Sequence, residues 1–205
     1  MITLSAIWES STGLLKRFEL TPPAWTAWHK VSEEYFEAIE SLHDLKDKPR
    51  NEIFKMDTAC EVADFVVTLV NLGYACGCQW RDFENIDIKK QWDAAVVSEL
   101  KPRDRWIALQ DTLYLINQSL NALDALEGDS SLSDIEHHRA RIARRIGDSI
   151  RAMFRVCCVQ ALTYDNFEAA MESTIYKNNN KTDKTHVVID GFIKRIQPVI
   201  LTEEK

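Results

Sequence analysis

Five carboxylates stand out in this 205-residue chain: Glu33, Glu34 and Glu37 in VSEEYFEAIE, and Glu61 and Asp64 in CEVADFVVTLVNLGYACG. Residues three and four apart share one face of a helix, so Glu34 with Glu37 and Glu61 with Asp64 make two acidic pairs. If the two helices fold back on each other across the break at Pro49, the pairs meet as a cage of four carboxylates. Such a cage suits hard cations that prefer oxygen ligands, Mg²⁺ first and Mn²⁺ as an alternative. An isolated ExxE pair is commonly no more than solvated helix surface. Here, however, Glu61 and Asp64 are embedded in Val62, Ala63, Phe65, Val66, Val67, Leu69, Val70 and Leu72, and acids seldom sit on so apolar a helix unpaired.

The elements that must position these groups read as helices, because glycine and proline are scarce, at six and five, and the intervening segments have helical periodicity. The pattern predicts a short helix over 11–18 and a long one from Thr21-Pro22-Pro23 to about Lys46, proline being tolerated in a first helical turn. After KDKPRN a second long helix runs to about Cys76, and a shorter one begins near Trp80 or Arg81. Lys101-Pro102 opens another long helix that reaches Glu127, where Gly128-Asp-Ser-Ser breaks it. Ser133 with Glu136 reads as a capping box that starts a helix running to about Leu162. A last helix covers about 164–176, and the polar tail turns weakly strand-like near Val187 to Ile189.

Composition excludes several classes of function. A net charge of −7 argues against a general nucleic-acid or anionic-membrane surface, while leaving free nucleotides open when a metal supplies the positive charge. The N-terminus lacks a basic start followed by an apolar core, and no run approaches the roughly 18 apolar residues of a membrane span, so a cytosolic (cytoplasmic) protein is expected. The five cysteines Cys60, Cys76, Cys78, Cys157 and Cys158 lack zinc-site spacing and read as reduced thiols.

The layout repeats: long, long, short, then long, long, short. An offset of 84 pairs Leu42 with Leu126, Val62 with Ile146, Asp64 with Asp148, and Phe83-Glu84 with Phe167-Glu168. The same offset sets Glu34 against Gln118, Glu37 against Asn121 and Glu61 against Arg145. The second copy therefore keeps only one of the four cage carboxylates, and a second cage is not expected there. The expected organisation is a single all-α domain over 1–205, with pseudo-repeats at about 21–98 and 101–176 and a tail over 177–205.

The acidic motifs resemble a known family. Glu33-Glu34-x-x-Glu37 followed by Glu61-x-x-Asp64 is similar to the EExxE and ExxD signature of the all-α nucleoside triphosphate pyrophosphatases, the superfamily of MazG and the dimeric dUTPases. Glu61-Val-Ala-Asp64-Phe with Asn71 and Gly73 is closest to the dUTPase and phage dCTPase branch, which also carries a degenerate internal duplication. Tyr176-Lys177-Asn178-Asn179-Asn180-Lys181 resembles the family's lysine- and asparagine-rich phosphate segment, although read by itself it is equally a polar loop. The dUTPase branch has a Gln and an Asn upstream of its first acidic motif, and IWESSTGLLKRF has no such pair, so the base stays open between dUTP-like and dCTP-like candidates.

The resemblance implies a helical bundle and a hydrolase that cleaves a nucleoside triphosphate between its α and β phosphates, in nucleotide-pool sanitation or in phage or bacterial nucleotide metabolism. It assigns Glu34, Glu37, Glu61 and Asp64 as ligands of Mg²⁺ or Mn²⁺, and Glu37 or Glu33 as the group that orients or deprotonates water. Lys177, Asn178 and Lys181 would bind phosphates, and Trp25, Trp28 or Asn71 the base. The expected partner is the nucleoside triphosphate, with no nucleic acid and no membrane, and a homodimer is allowed. The competing reading is a non-catalytic nucleotide-binding protein or a purely structural helical bundle.

Overall fold

The computed structural model describes residues 1–126, 131–189 and 192–196; the expected break at Gly128-Asp-Ser-Ser lies outside them. Among the described residues the chain forms seven α-helices, one 3-10 turn and a two-stranded sheet. The helices are α1 (Leu4–Arg17), α2 (Ala24–Asp47), α3 (Glu52–Ala75), α4 (Ile88–Val96), α5 (Pro102–Asp124), α6 (Leu132–Val159) and α7 (Tyr164–Asn180). The strands β1 (His186–Ile189) and β2 (Phe192–Arg195) pair antiparallel.

Local chemistry explains most of the starts. Thr3, Asn51, Asp87, Ser131 and Thr163 occupy the N-cap positions of α1, α3, α4, α6 and α7, and each side chain accepts a hydrogen bond from a backbone N–H of the first turn. At α2, Pro23 is the N-cap and makes no side-chain cap bond, so its fixed backbone dihedral does that work. Four differences from the expected boundaries follow. The first helix begins at Leu4, because Thr3 caps it. Trp80–Asp82 forms only a 3-10 turn, and the short helix waits for the Asp87 cap. Ser131 caps α6 in place of Ser133, and α6 stops at Val159. Lys177 to Asn180 form the last turn of α7, so the phosphate-like segment begins as helix and not as loop.

The α3 helix is the core of the molecule. Val62, Ala63, Phe65, Val66, Leu69, Val70 and Leu72 are all fully buried, as expected of a helix that is apolar almost all round. It packs on α2 most extensively, and also on α1, α6 and α7. The α5–α6 pair forms the other large helix contact. At Gly73 a Cβ would lie 2.5 Å from Phe83 Cζ, so glycine there lets the 3-10 segment close on α3. All five cysteines are free. No helix among the described residues is long and apolar enough to cross a membrane.

Candidate metal centre

From Glu61 to Asn71 α3 is buried on nearly every side, and its charged, hydroxyl and amide residues there form one narrow stripe, Glu61, Asp64, Thr68 and Asn71, spaced three, four and three apart. The α2 helix, folded back across the short turn after Asp47, places Glu34 against this stripe. One carboxylate oxygen from each of Glu34, Glu61 and Asp64 lies within 4.8 Å of the others. Glu34 is only 7 % exposed. Three acids gathered this closely repel one another unless protons or cations intervene.

Part of that repulsion is met from within the chain. Lys30, one turn before Glu34 on α2, places Nζ 2.6 Å from Glu34 Oε1 and 2.9 Å from Glu33 Oε1. Burial acts to lower the pKa of Lys30, but the hydrogen bonds and charges of Glu34 and Glu33 outweigh it and hold the ammonium above the usual lysine value. On the other side, Thr174 Oγ1 of α7 donates to Asp64 Oδ1 at 3.2 Å. Burial raises the pKa of Asp64, while Thr174, Lys177 and Lys181 act against that rise. Burial also raises Glu61, helped by the charges of Glu37, Asp64 and Glu34. Glu37 is raised by desolvation first and then by Glu34.

The face of α7 that meets the stripe carries Thr174, Lys177, Asn178 and, at the C-cap, Lys181. Lys181 Nζ donates to Asn178 Oδ1 at 3.0 Å, and burial lowers its pKa while Asp64 counteracts that. Arg17, at the end of α1, fixes this terminus. Its Nη1 donates to the carbonyls of Asn178, Asn179 and Lys181 at 3.2, 3.2 and 2.6 Å, satisfying acceptors that a helix end leaves open.

Between α1, α2, α3, α7 and β2 lies a cavity of about 520 Å³. Glu34, Asp64, Lys30 and Lys181 line its charged part, Leu14, Leu20, Val67 and Ile193 an apolar part, and Thr26, Thr68 and Asn71 supply uncharged polar groups. Asn71 Oδ1 is buried without a hydrogen-bond partner, so it is available to a donor on a guest molecule.

The expected residues separate into groups. Glu34, Glu61 and Asp64 converge. Glu37 is exposed and falls outside the close cluster, so three carboxylates and not four make the cage. Glu33 lines the cavity, its side chain 56 % exposed and paired with Lys30, but lies outside the close cluster. Asn71, Asn178 and Lys181 line the cavity; Lys177 does not, although its charge reaches Asp64. Trp25 and Trp28 are absent from the lining. Trp25 Nε1 donates instead to Asp124 Oδ2 of α5 at 3.3 Å, and both rings pack on the core. Lys30, Thr174 and Arg17 were not foreseen. Lys30 was readable as a helical ion pair at i to i+3 and i+4, whereas Thr174 and Arg17 act across 110 and more than 160 residues and leave no local signal.

No protein-family model matches the chain, and no curated protein or solved structure matches it.

Proposed function

We propose that the chain is a metal-dependent nucleoside triphosphate pyrophosphohydrolase of the all-α type, acting on the α–β phosphoanhydride of a nucleoside or deoxynucleoside triphosphate. The observation that carries this reading is the convergence of Glu34, Glu61 and Asp64 beside a cavity that Glu34 and Asp64 line together with Asn178 and Lys181 of the α7 end. The donor set fits a hard cation: three carboxylates, no imidazole and no thiolate within the cluster. The Lys30 ammonium on Glu34 marks the same position as one that takes positive charge.

Bound there, Mg²⁺ or Mn²⁺ would screen the triphosphate charge that otherwise repels a nucleophile. Glu34, Glu61 and Asp64 would hold it, with Thr174 orienting Asp64. Lys181 would neutralise phosphate oxygens, and Lys177 would add charge from the rim. Glu37, raised in pKa by desolvation and then by Glu34 and outside the close cluster, would accept a proton from an attacking water. The apolar part of the cavity excludes water around the base, and the Asn71 amide offers it a hydrogen bond.

The test is a screen of the common NTPs and dNTPs with Mg²⁺, following pyrophosphate release. Release from at least one triphosphate, lost on chelation, is the expected result. Tight binding without turnover would instead make the chain a nucleotide-binding module.

A further inference from the structure

We propose that the face of α6 centred on Asp148 is a separate anion site, which takes an oligophosphate such as pyrophosphate through Arg141, Arg145 and Arg155. At 100° per residue, Arg141, Arg144, Arg145, Arg151 and Arg155 all fall within about 60° of Asp148, along roughly 21 Å of helix. Among the described residues none of the five lies within ion-pair distance of a carboxylate. Five arginines facing one aspartate on a protein of net charge −7 form a local field opposite to that of the whole molecule.

Burial makes this more than a solvated basic face. Arg145 is only 9 % exposed, and its Nε and Nη1 are buried without a hydrogen-bond partner. Arg155 Nε and Ser149 Oγ are orphaned in the same way. Of the nine such atoms among the described residues, three are guanidinium nitrogens of this face, Arg145 Nε and Nη1 and Arg155 Nε. A guanidinium taken out of water with its donors unmade is costly, and an oxyanion that receives them removes the cost. Burial, and then the charges of Arg141 and Arg144, depress the Arg145 pKa, and Asp148 offsets them only in part.

The neighbours fix this face in place. Opposite it, Ile146, Ile150, Met153 and Cys157 are fully buried in the core. On one flank Arg151 Nε donates to Gln91 Oε1 of α4. On the other, Arg105 of α5 donates from Nη1 to the Arg155 carbonyl at 3.1 Å. The offset of 84 places Arg141, Arg145, Asp148 and Arg155 at the positions of Asp57, Glu61, Asp64 and Asn71 on α3. The stripe that gathers carboxylates on α3 is thus matched on α6 by a stripe that gathers guanidinium groups. Where the first suits a cation, the second suits an anion with several charges, and phosphate oxygens match the arginine fork.

The experiment uses the full chain in EDTA, so that the carboxylate centre holds no metal, with inorganic pyrophosphate as the probe. Calorimetry and thermal melting should show pyrophosphate binding that sulfate at equal ionic strength does not reproduce. Arg141→Gln, at a half-buried position that folding tolerates, and Arg145→Gln should each weaken binding at least about tenfold, the scale of one lost charge-assisted hydrogen bond. Lys46→Gln and Arg50→Gln, which remove exposed charge outside both sites, should bind as the wild type does. Absence of binding, wild-type affinity in both arginine variants, an equal loss in the control variants, or a loss confined to Lys177→Ala/Lys181→Ala would overturn the proposal.

Discussion

Glu34 is the residue on which a bound metal would meet a second cation, since it is buried, belongs to the close carboxylate cluster and already carries the Lys30 ammonium. An ion entering the cluster must compete with Lys30 for Glu34 Oε1. Lys30→Met should therefore tighten Mn²⁺ binding severalfold in calorimetry while raising KM for a triphosphate, because an ammonium that lines the cavity is lost; unchanged metal affinity would show that Lys30 does not compete. Glu34→Gln, Glu61→Gln and Asp64→Asn should each lower turnover by about 10³ or more with the far-ultraviolet spectrum retained, whereas Glu37→Gln, if it acts on water, should lower kcat and leave Mn²⁺ affinity near wild type. The raised pKa values of Asp64 and Glu61 give a sign for pH. Their folded values lie above the unfolded ones, so the metal-free fold binds more protons than the unfolded chain and loses stability as pH rises through the folded values. Metal affinity should rise over the same interval as those protons leave. Melting curves between about pH 4 and pH 7 with EDTA, and again with Mn²⁺, should diverge as pH increases; parallel curves would contradict the linkage.

At the scale of elements, what could be read from the sequence follows the range of the interactions involved. The α2 and α3 helices and their acidic faces were legible because periodicity is local, and Glu34, Glu61 and Asp64 meet as their spacing implied. Glu37 shares their face and its charge acts on Glu61, but it stands outside the close set of three, because i to i+3 spacing fixes a face and not a distance to the facing helix. Capping decided the misread boundaries: Thr3, Asp87 and Ser131 each set a start that apolar periodicity alone put elsewhere. The C-terminal extension of α7 was hidden because asparagines are weak helix formers, and what holds that end is Arg17, more than 160 residues away in the chain. This contact gives an element-scale prediction. Arg17→Met removes the donor to three carbonyls, so the last turn of α7 should fray and Lys181 lose its fixed position. Hydrogen exchange should quicken at Asn178 to Lys181, and triphosphate affinity should fall severalfold with Mn²⁺ affinity unchanged. Unaltered exchange there would show that the turn holds without Arg17.

Across the whole molecule the two helix pairs carry opposite charge on corresponding faces. The α2–α3 pair gathers Glu34, Glu61 and Asp64, while α6 presents Arg141, Arg145 and Arg155 around a lone acid, Asp148. If these pairs descend from one duplicated unit, the second has exchanged cation binding for anion binding, and the chain should hold a single metal centre. One carboxylate surrounded by arginines cannot keep Mg²⁺, which needs further oxygen ligands and is repelled by the neighbouring guanidinium groups. Titration with Mn²⁺ should accordingly show one class of site, abolished by Asp64→Asn and intact in Asp148→Asn. The second substitution removes the acid at the centre of the arginine face, so it should also strengthen pyrophosphate binding in EDTA, a change of opposite sign to that of Arg141→Gln. Loss of Mn²⁺ binding in Asp148→Asn would mean that the two faces share one ion, and the division of the molecule into a cationic and an anionic half would be wrong.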